Sequence, residues 1–212
     1  TDYLGNKDDW EVISLKERDE VVGAIELSTG HEDLVFITSD AQLLHFPASS
    51  VRPQGRTAGG MAGIKLASGA RAVFFGALNP QATNLVVTSS GSSGALPGTE
   101  PGSLKVTPYA EYPAKGRATG GVRCHRFLRG EDTLVLGWAG GSPARAAAAN
   151  GVALDLPSPT GKRDGSGMPA STAIAAIAGA LPWPRSISTL PAPTPAEPDG
   201  PEMLPEFPAG RE

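Results

Sequence analysis

Cysteine occurs once in the 212 residues, at Cys124. That excludes an internal disulfide and a cysteine-rich zinc site. His31, His45 and His125 are scattered, and Cys124 beside His125 supplies too few ligands for zinc. Aromatics make up 6% of the chain, too few for the stacking platform of a single-strand binder. No apolar run reaches the roughly 18 residues of a membrane helix, and no signal-peptide pattern is present. No membrane partner is therefore expected, and a cytoplasmic setting fits. The pattern Gly-x-x-x-x-Gly-Lys-Ser/Thr is absent, so no P-loop nucleotide site is indicated. The serine–glycine run at residues 89–94 lacks the Gly-x-Ser-x-Gly of a nucleophile elbow and reads as a loop.

Turn-formers are what the chain has in their place. With 27 Gly, 20 Pro and 40% hydrophobic residues, it has enough apolar length for a core, cut into short pieces by turns. That composition points to a β-rich fold. A chain opening on Thr1 reads as a fragment or a processed product. The net charge of −4 hides a segregation. Residues 1–40 carry 11 acidic and 3 basic side chains, whereas residues 41–130 carry 2 acidic and 10 basic. Residues 131–181 are near neutral, and the tail from Pro182 is acidic again. Screening cuts fields off within about 10 Å, so the local excess of cations governs contact. Such a patch is either a solvated face or a polyanion site.

Three β-branched runs, at residues 34–38, 85–88 and 133–136, predict strands, with Thr38 set against Thr88. Each leads to a pair ending in proline, namely Phe46-Pro47, Tyr112-Pro113 and Leu156-Pro157. A basic, glycine-containing turn follows each pair: QGRTAGGMAG at 54–63, AKGRATGGVR at 114–123, GKRDGSGMPA at 161–170. Arg56, Arg117 and Arg163 align in these copies, as do Gly60, Gly121 and Gly167, then Met61, Val122 and Met168. Recurrence of this kind is the signature of a repeat architecture. MAGIKL (61–66) and VRCHRF (122–127) read as strands leaving the turns. The alanines at 144–149 have helical propensity, but Asn150-Gly151 is a turn signal and the repeat places them among strands. Residues 171–181 read as a last strand on the same ground. From Pro182 the chain is Pro-rich and acidic and is expected to be disordered. Three copies of a strand–turn–strand unit predict blades arranged about an axis.

QGRTAGG, set between LVFITSDAQLLHFPASSVRP and MAGIKL, resembles the box motif of the C-terminal domain of the A subunit of bacterial type IIA topoisomerases, DNA gyrase and topoisomerase IV. Gln54, Arg56, Gly59 and Gly60 match that box, while Gly55, Thr57, Ala58 and Met61 depart from it, as in the degenerate boxes of the topoisomerase IV branch. LKERDEVVGAIEL at 15–27 resembles the phrasing between blades in the same family, and the likeness runs from about residue 10 to 179. It implies an all-β β-pinwheel of about three to four blades over residues 1–181, with upstream blades lacking and a disordered Pro-rich tail over 182–212. It also implies a non-sequence-specific duplex DNA binding and bending module. The partners it implies are double-stranded DNA, an upstream cleavage core within the same polypeptide, and an ATPase B subunit in an A2B2 assembly on the nucleoid. ATP and Mg2+ would be used elsewhere in that enzyme, with no cofactor or metal in this segment.

The residues expected to contact phosphate are Arg52, Arg56, Lys65, Lys115, Arg117, Arg123, Arg126, Lys162 and Arg163. Arginine offers a planar fork to phosphate oxygens. The turn glycines Gly55, Gly59, Gly60, Gly116, Gly120, Gly121 and Gly167 would expose backbone N–H groups to the same anion. Two other readings stand beside this one. A protein-interaction propeller would need Gly-His and Trp-Asp blade signatures, which are missing. A small-phosphate enzyme would need a helix after each turn. Tyr3, Tyr109 and Tyr112 lack the Arg-Tyr-Thr-like context of a cleavage tyrosine. The isolated chain is therefore expected neither to cleave nor to relax supercoiled plasmid, with or without ATP; relaxation by a pure sample would contradict this assignment.

Overall fold

The computed structural model of the protein describes residues 12–55, 58–96 and 101–180. Its strands are β1 (Asp33–Thr38), β2 (Gln42–Pro47), β3 (Ala72–Leu78), β4 (Asn84–Gly91) and β5 (Ser103–Pro108). They continue with β6 (Val122–Arg123), β7 (Thr133–Ala147), β8 (Ala153–Leu154), β9 (Met168–Pro169) and β10 (Ala176–Ala180). The only helical pieces among the described residues are two 3-10 turns, Ala48–Ser50 and Tyr109–Glu111, each directly after a strand-ending proline. All strand pairings are antiparallel. One sheet has the order β3-β1-β2-β6; the other runs β10-β7-β4-β5-β9, with β8 also on β7.

Register shows that one unit is built three times. Asp33 faces Pro47 in the first hairpin and Leu85 faces Pro108 in the second. In both units the ladder to the next strand slips at the same place, between Ile37 and Thr38 and between Ser89 and Ser90. Thr38 is thus equivalent to Ser90, two residues beyond the Thr88 that the β-branched runs suggested. Pro47 corresponds to Pro108, so the partner of Phe46-Pro47 is Thr107-Pro108 and not Tyr112-Pro113. The third unit uses the far half of β7: Ala147 faces Ala153 as Ile37 faces Leu43, and β10 lies where β3 lies in the first. The alanine-rich end of β7 is therefore strand, as the repeat required.

The fourth strand of each complete sheet comes from a glycine turn further along the chain. β6 leaves the second turn and pairs with β2, with Val122 on Leu43; β9 leaves the third turn and pairs with β5, with Met168 on Leu104. This strand exchange is the β-pinwheel arrangement. It also explains where MAGIKL departs from expectation. Residues 61–66 hold no strand, because no hairpin precedes β1 among the described residues to pair with them. VRCHRF is strand only at Val122–Arg123, and residues 171–181 only at Ala176–Ala180. The tail at 182–212 lies outside the described residues.

Period-two alternation divides the apolar residues between faces. Val35, Ile37, Leu43, Leu78, Val86, Leu134, Tyr109, Tyr112 and Cys124 form a core shared by the first two units. Leu34, Leu44, Phe46 and Ala77 cover the opposite face of the first sheet with Phe36, Phe75 and Ile64. Val87, Leu104, Val106, Ala146 and Ile174 do the same for the second and third. A polar clamp crosses the shared core. Tyr109 Oη donates to Asp33 Oδ2 (2.9 Å), which also meets His45 Nδ1 (3.0 Å), and His45 Nε2 lies 2.9 Å from the Tyr112 carbonyl. Burial first, then Asp33, pushes the Tyr109 hydroxyl far above its ordinary pKa, so it stays a donor.

Glycine is required where the turn meets the sheet. Gly121 has φ +76, and a Cβ there would stand 2.5 Å from the Leu43 carbonyl oxygen. Gly60, its equivalent in the first turn, has φ +74 with open space around it. Gly60→Ala should cost about 1 kcal/mol from left-handed strain alone. Gly121→Ala adds a backbone collision and should cost ~3 kcal/mol or more. Urea titration of the two variants checks the difference.

Candidate nucleic-acid interface

The three glycine turns lie side by side, joined by main-chain bonds. The Ala118 amide donates to the Gly63 carbonyl (2.6 Å) and the Lys65 amide to the Thr119 carbonyl (3.0 Å), so the second turn runs along the exit of the first. The Arg126 amide donates to the Gly165 carbonyl (3.0 Å), so the third turn lies along the exit of the second in the same way. Lys65 and Arg126 hold equivalent positions, as do Thr119 and Gly165. The exit of the first turn also lies close against its own sheet at Gly63, where a Cβ would fall 2.5 Å from the Phe36 ring.

This packing occupies main-chain groups and leaves most basic side chains free. Arg52, Lys65, Lys115, Arg123, Arg126 and Lys162 are all exposed. Among the described residues the only contact of ion-pair type is His45 with Asp33, so no lysine or arginine there has a carboxylate within 4.0 Å. Arg71 and Arg129 are exposed as well and were absent from the expected set. Arg56 lies outside the described residues, although Gly55, Gly59 and Gly60 beside it are exposed. Gly116 and Gly120 are exposed in the second turn; Gly167 lies closer in, where a Cβ would meet the Leu104 backbone at 2.9 Å.

Two arginines depart from the free arrangement. Arg117 is half-buried and its Nη1 donates to the Ala62 carbonyl (2.6 Å), tying the second turn to the first. Arg163 is half-buried, with its Nε enclosed and unbonded. A third cation works from inside. Lys105, on β5, is 2% exposed, and its Nζ donates to the carbonyls of Lys162 (3.1 Å), Arg163 and Gly165 (3.3 Å). Burial holds its pKa down at about 8, against the raising influence of Cys124 and Asp164. The signal for Lys105 was its place in the run Ser-Leu-Lys-Val-Thr, where a single lysine interrupts a strand buried on both faces.

Behind the exposed pair Arg123 and Arg126 sits a buried polar network. His125 Nδ1 is 2.8 Å from Thr88 Oγ1, and its Nε2 is 3.1 Å from Ser103 Oγ. Ser103 Oγ in turn reaches Ser90 Oγ (2.6 Å) and Glu131 Oε2 (3.1 Å). Burial, with a smaller effect of Lys105, lowers the His125 pKa to about 4, so the ring is neutral at pH 7. No group of three or more His, Cys, Asp or Glu among the described residues is placed to hold a metal ion. No helix among them is long and apolar enough to cross a membrane. A row of unpaired cations on glycine turns can bind phosphates without reading bases.

A family model described as DNA gyrase C-terminal domain, beta-propeller, matches residues 32–79 and 98–135. The DNA gyrase A subunit of Klebsiella oxytoca is 34% identical over 110 residues, 52% of this chain and 11% of that one. Its counterpart in Staphylococcus epidermidis is 36% identical over 130 residues, 61% of this chain and 13% of that one. The chain thus spans only 11% to 13% of the length of these relatives. Among solved structures, the C-terminal domain of DNA topoisomerase IV superposes with a TM-score of 0.61 at 18% identity, covering 78% of this chain and 51% of that one. The E. coli ParC C-terminal domain gives 0.58 at 14%, covering 79% and 67%. At such identities these two likenesses bear on the fold.

The His125 network makes a prediction with a definite sign. An unfolded chain takes up the His125 proton as pH falls through about 6.5, while the folded chain resists until about 4. Stability should therefore be lost as pH falls across that window, by roughly 3 kcal/mol from this one group. His125→Gln should flatten that part of the profile. Urea unfolding of both proteins between pH 7 and 4.5 measures the difference.

Proposed function

Since the chain belongs to the family of C-terminal domains of type IIA topoisomerase A subunits, we propose that it is the part of such a protein that grips duplex DNA by its backbone and holds it bent for strand passage. The observation that carries this reading is the row of exposed cations without carboxylate partners along hydrogen-bonded turns. Lys65, Lys115, Arg123, Arg126 and Lys162 supply the phosphate contacts, with Arg52 just before the first turn and Arg56 in its sequence. Arg117 and Lys105 hold the turns in line. Lines of fixed positive charge bind backbone without sequence preference, and bending the duplex costs a few kcal/mol that the added contacts offset.

The DNA-holding module is residues 1–181, and the acidic Pro-rich stretch after it is separate. In the whole enzyme, an ATP-dependent type II topoisomerase of the bacterial cytoplasm, strand cleavage would belong to an upstream core of the same polypeptide. ATP hydrolysis would belong to a B subunit in an A2B2 assembly, with ATP and Mg2+ bound there. Binding of duplex DNA should weaken by about 0.9 log units per log unit of salt for each phosphate neutralised. Arg123→Ala and Arg126→Ala should each make that slope shallower by about one phosphate's worth with unchanged melting. Arg117→Ala should lower both affinity and melting temperature, because its guanidinium also ties two turns. Binding that ignores salt, or affinity per folded molecule unchanged in the Arg123 and Arg126 variants, would remove DNA from this face and favour a protein partner.

A further inference from the structure

The repeat carries an internal comparison. Leu43 and Leu104 hold equivalent places, since each faces the first residue of a closing strand, Val122 of β6 or Met168 of β9. Leu44 and Phe46 therefore correspond to Lys105 and Thr107. Val51, just after the first 3-10 turn, corresponds to Tyr112, just after the second. In the first unit these three places are apolar and pack in one cluster with Phe36 and Phe75. In the second they carry an ammonium and two hydroxyls, with Lys105 2%, Thr107 0% and Tyr112 3% exposed. The fold accepts hydrocarbon at all three places, so the sheet itself does not call for the polar groups.

These groups meet the third turn where it lies on β5. Lys105 and Thr107, two residues apart on the strand, face the same way. The Thr160 amide donates to the Val106 carbonyl between them (2.9 Å), and a Cβ on Gly161 would fall 3.7 Å from Glu111 Oε1. Thr107 Oγ1, Tyr112 Oη and Arg163 Nε are all buried there and have no hydrogen-bond partner among the described residues. Burial, then Cys124, pushes the Tyr112 pKa up, whereas Thr107 and Arg163 draw it down as neighbours of the hydroxyl. Lys105 gives its donors to turn carbonyls. Neither it nor Arg163 has a carboxylate within 4.0 Å, and Asp164 and Glu111, the acidic side chains acting on this corner, are exposed. Buried donors without acceptors are costly, and beside two cations they suit a ligand that is negative and only accepts. We propose that Thr107 Oγ1, Tyr112 Oη and Arg163 Nε hold one small monatomic anion of the chloride class, which offsets the charge of Lys105 and Arg163 and fastens the third turn to β5. A water molecule there would bring protons of its own that need acceptors, and no charge. All three atoms are sealed from solvent, so the ligand is small and the inference stands apart from the DNA reading.

Melting of the full chain at fixed pH and ionic strength, with gluconate replaced stepwise by chloride, tests it. The midpoint should rise and then level off, by about 5–10 °C once chloride exceeds its Kd a hundredfold. Thr107→Val with Tyr112→Phe, which restores hydrocarbon as in the first unit, should lose that response. Arg71→Ala with Arg129→Ala, which removes exposed cations elsewhere, should keep it. Crystals soaked in bromide should show an anomalous peak within hydrogen-bond reach of all three atoms, and that peak decides alone if the hydroxyl variant does not fold. A midpoint indifferent to chloride, a response that survives in the hydroxyl variant, or bromide found only at exposed cations would each overturn the proposal.

Discussion

The arrangement depends on one close approach, that of a glycine turn to the edge of the preceding hairpin. Gly121 lies against the backbone of Leu43 and Gly167 against that of Leu104, at distances no side chain tolerates. Only there can the chain leave a turn and continue at once as the closing strand of another unit's sheet. Strand exchange follows from this contact, and so does the alignment of successive turns. The second and third turns sit side by side because each is anchored to the sheet of a neighbouring hairpin, β6 on β2 and β9 on β5.

The contact also decides which groups are free for function. Main-chain bonds such as Lys65 to Thr119 and Arg126 to Gly165 hold the row together. The side chains of those same residues are then not needed for cohesion. Where backbone bonds are insufficient, cations are drawn inward: Arg117 to a carbonyl of the first turn, Lys105 to three carbonyls of the third. A buried ammonium whose direct partners are carbonyl oxygens is costly to desolvate, and the charge of Asp164 offsets that only in part, which is why its pKa falls. The third turn, poorest in matching residues, is the one held this way.

Much of this was legible in the residues. β-branched runs marked β1, β4 and the start of β7, because alternating burial on a pleated sheet favours those side chains. The glycine and arginine spacings marked the turns, since positive φ and close approach admit few substitutes. The alanines of β7 were legible only through the repeat, as their propensity points to helix and pairing overrode it. Other features were hidden because they depend on partners distant in sequence. Nothing local in MAGIKL reveals that no hairpin among the described residues pairs with it. Proline pairs misaligned because Tyr112-Pro113 imitates the pattern while the strand ends at Pro108. Whether an arginine faces solvent or a neighbouring carbonyl, as at Arg126 and Arg117, is settled by the packing of loops distant in sequence, 55 residues apart for Arg117 and Ala62.

β7 belongs to two units at once: its first half pairs with β4 and its second with β8 and β10. The first and second units share no such strand; the chain passes between them through the loop from β3 to β4, and the two-residue β6 is the only strand one lends the other. Repeat proteins ordinarily come apart one unit at a time, each losing its contacts with a single neighbour. Here the second and third units share an unbroken backbone ladder, so neither can melt without fraying the other's strand. The first unit is held to the second in another way, through the core they share and main-chain bonds such as Leu134 to Ser39, so side-chain packing there does what a continuous strand does between the second and third.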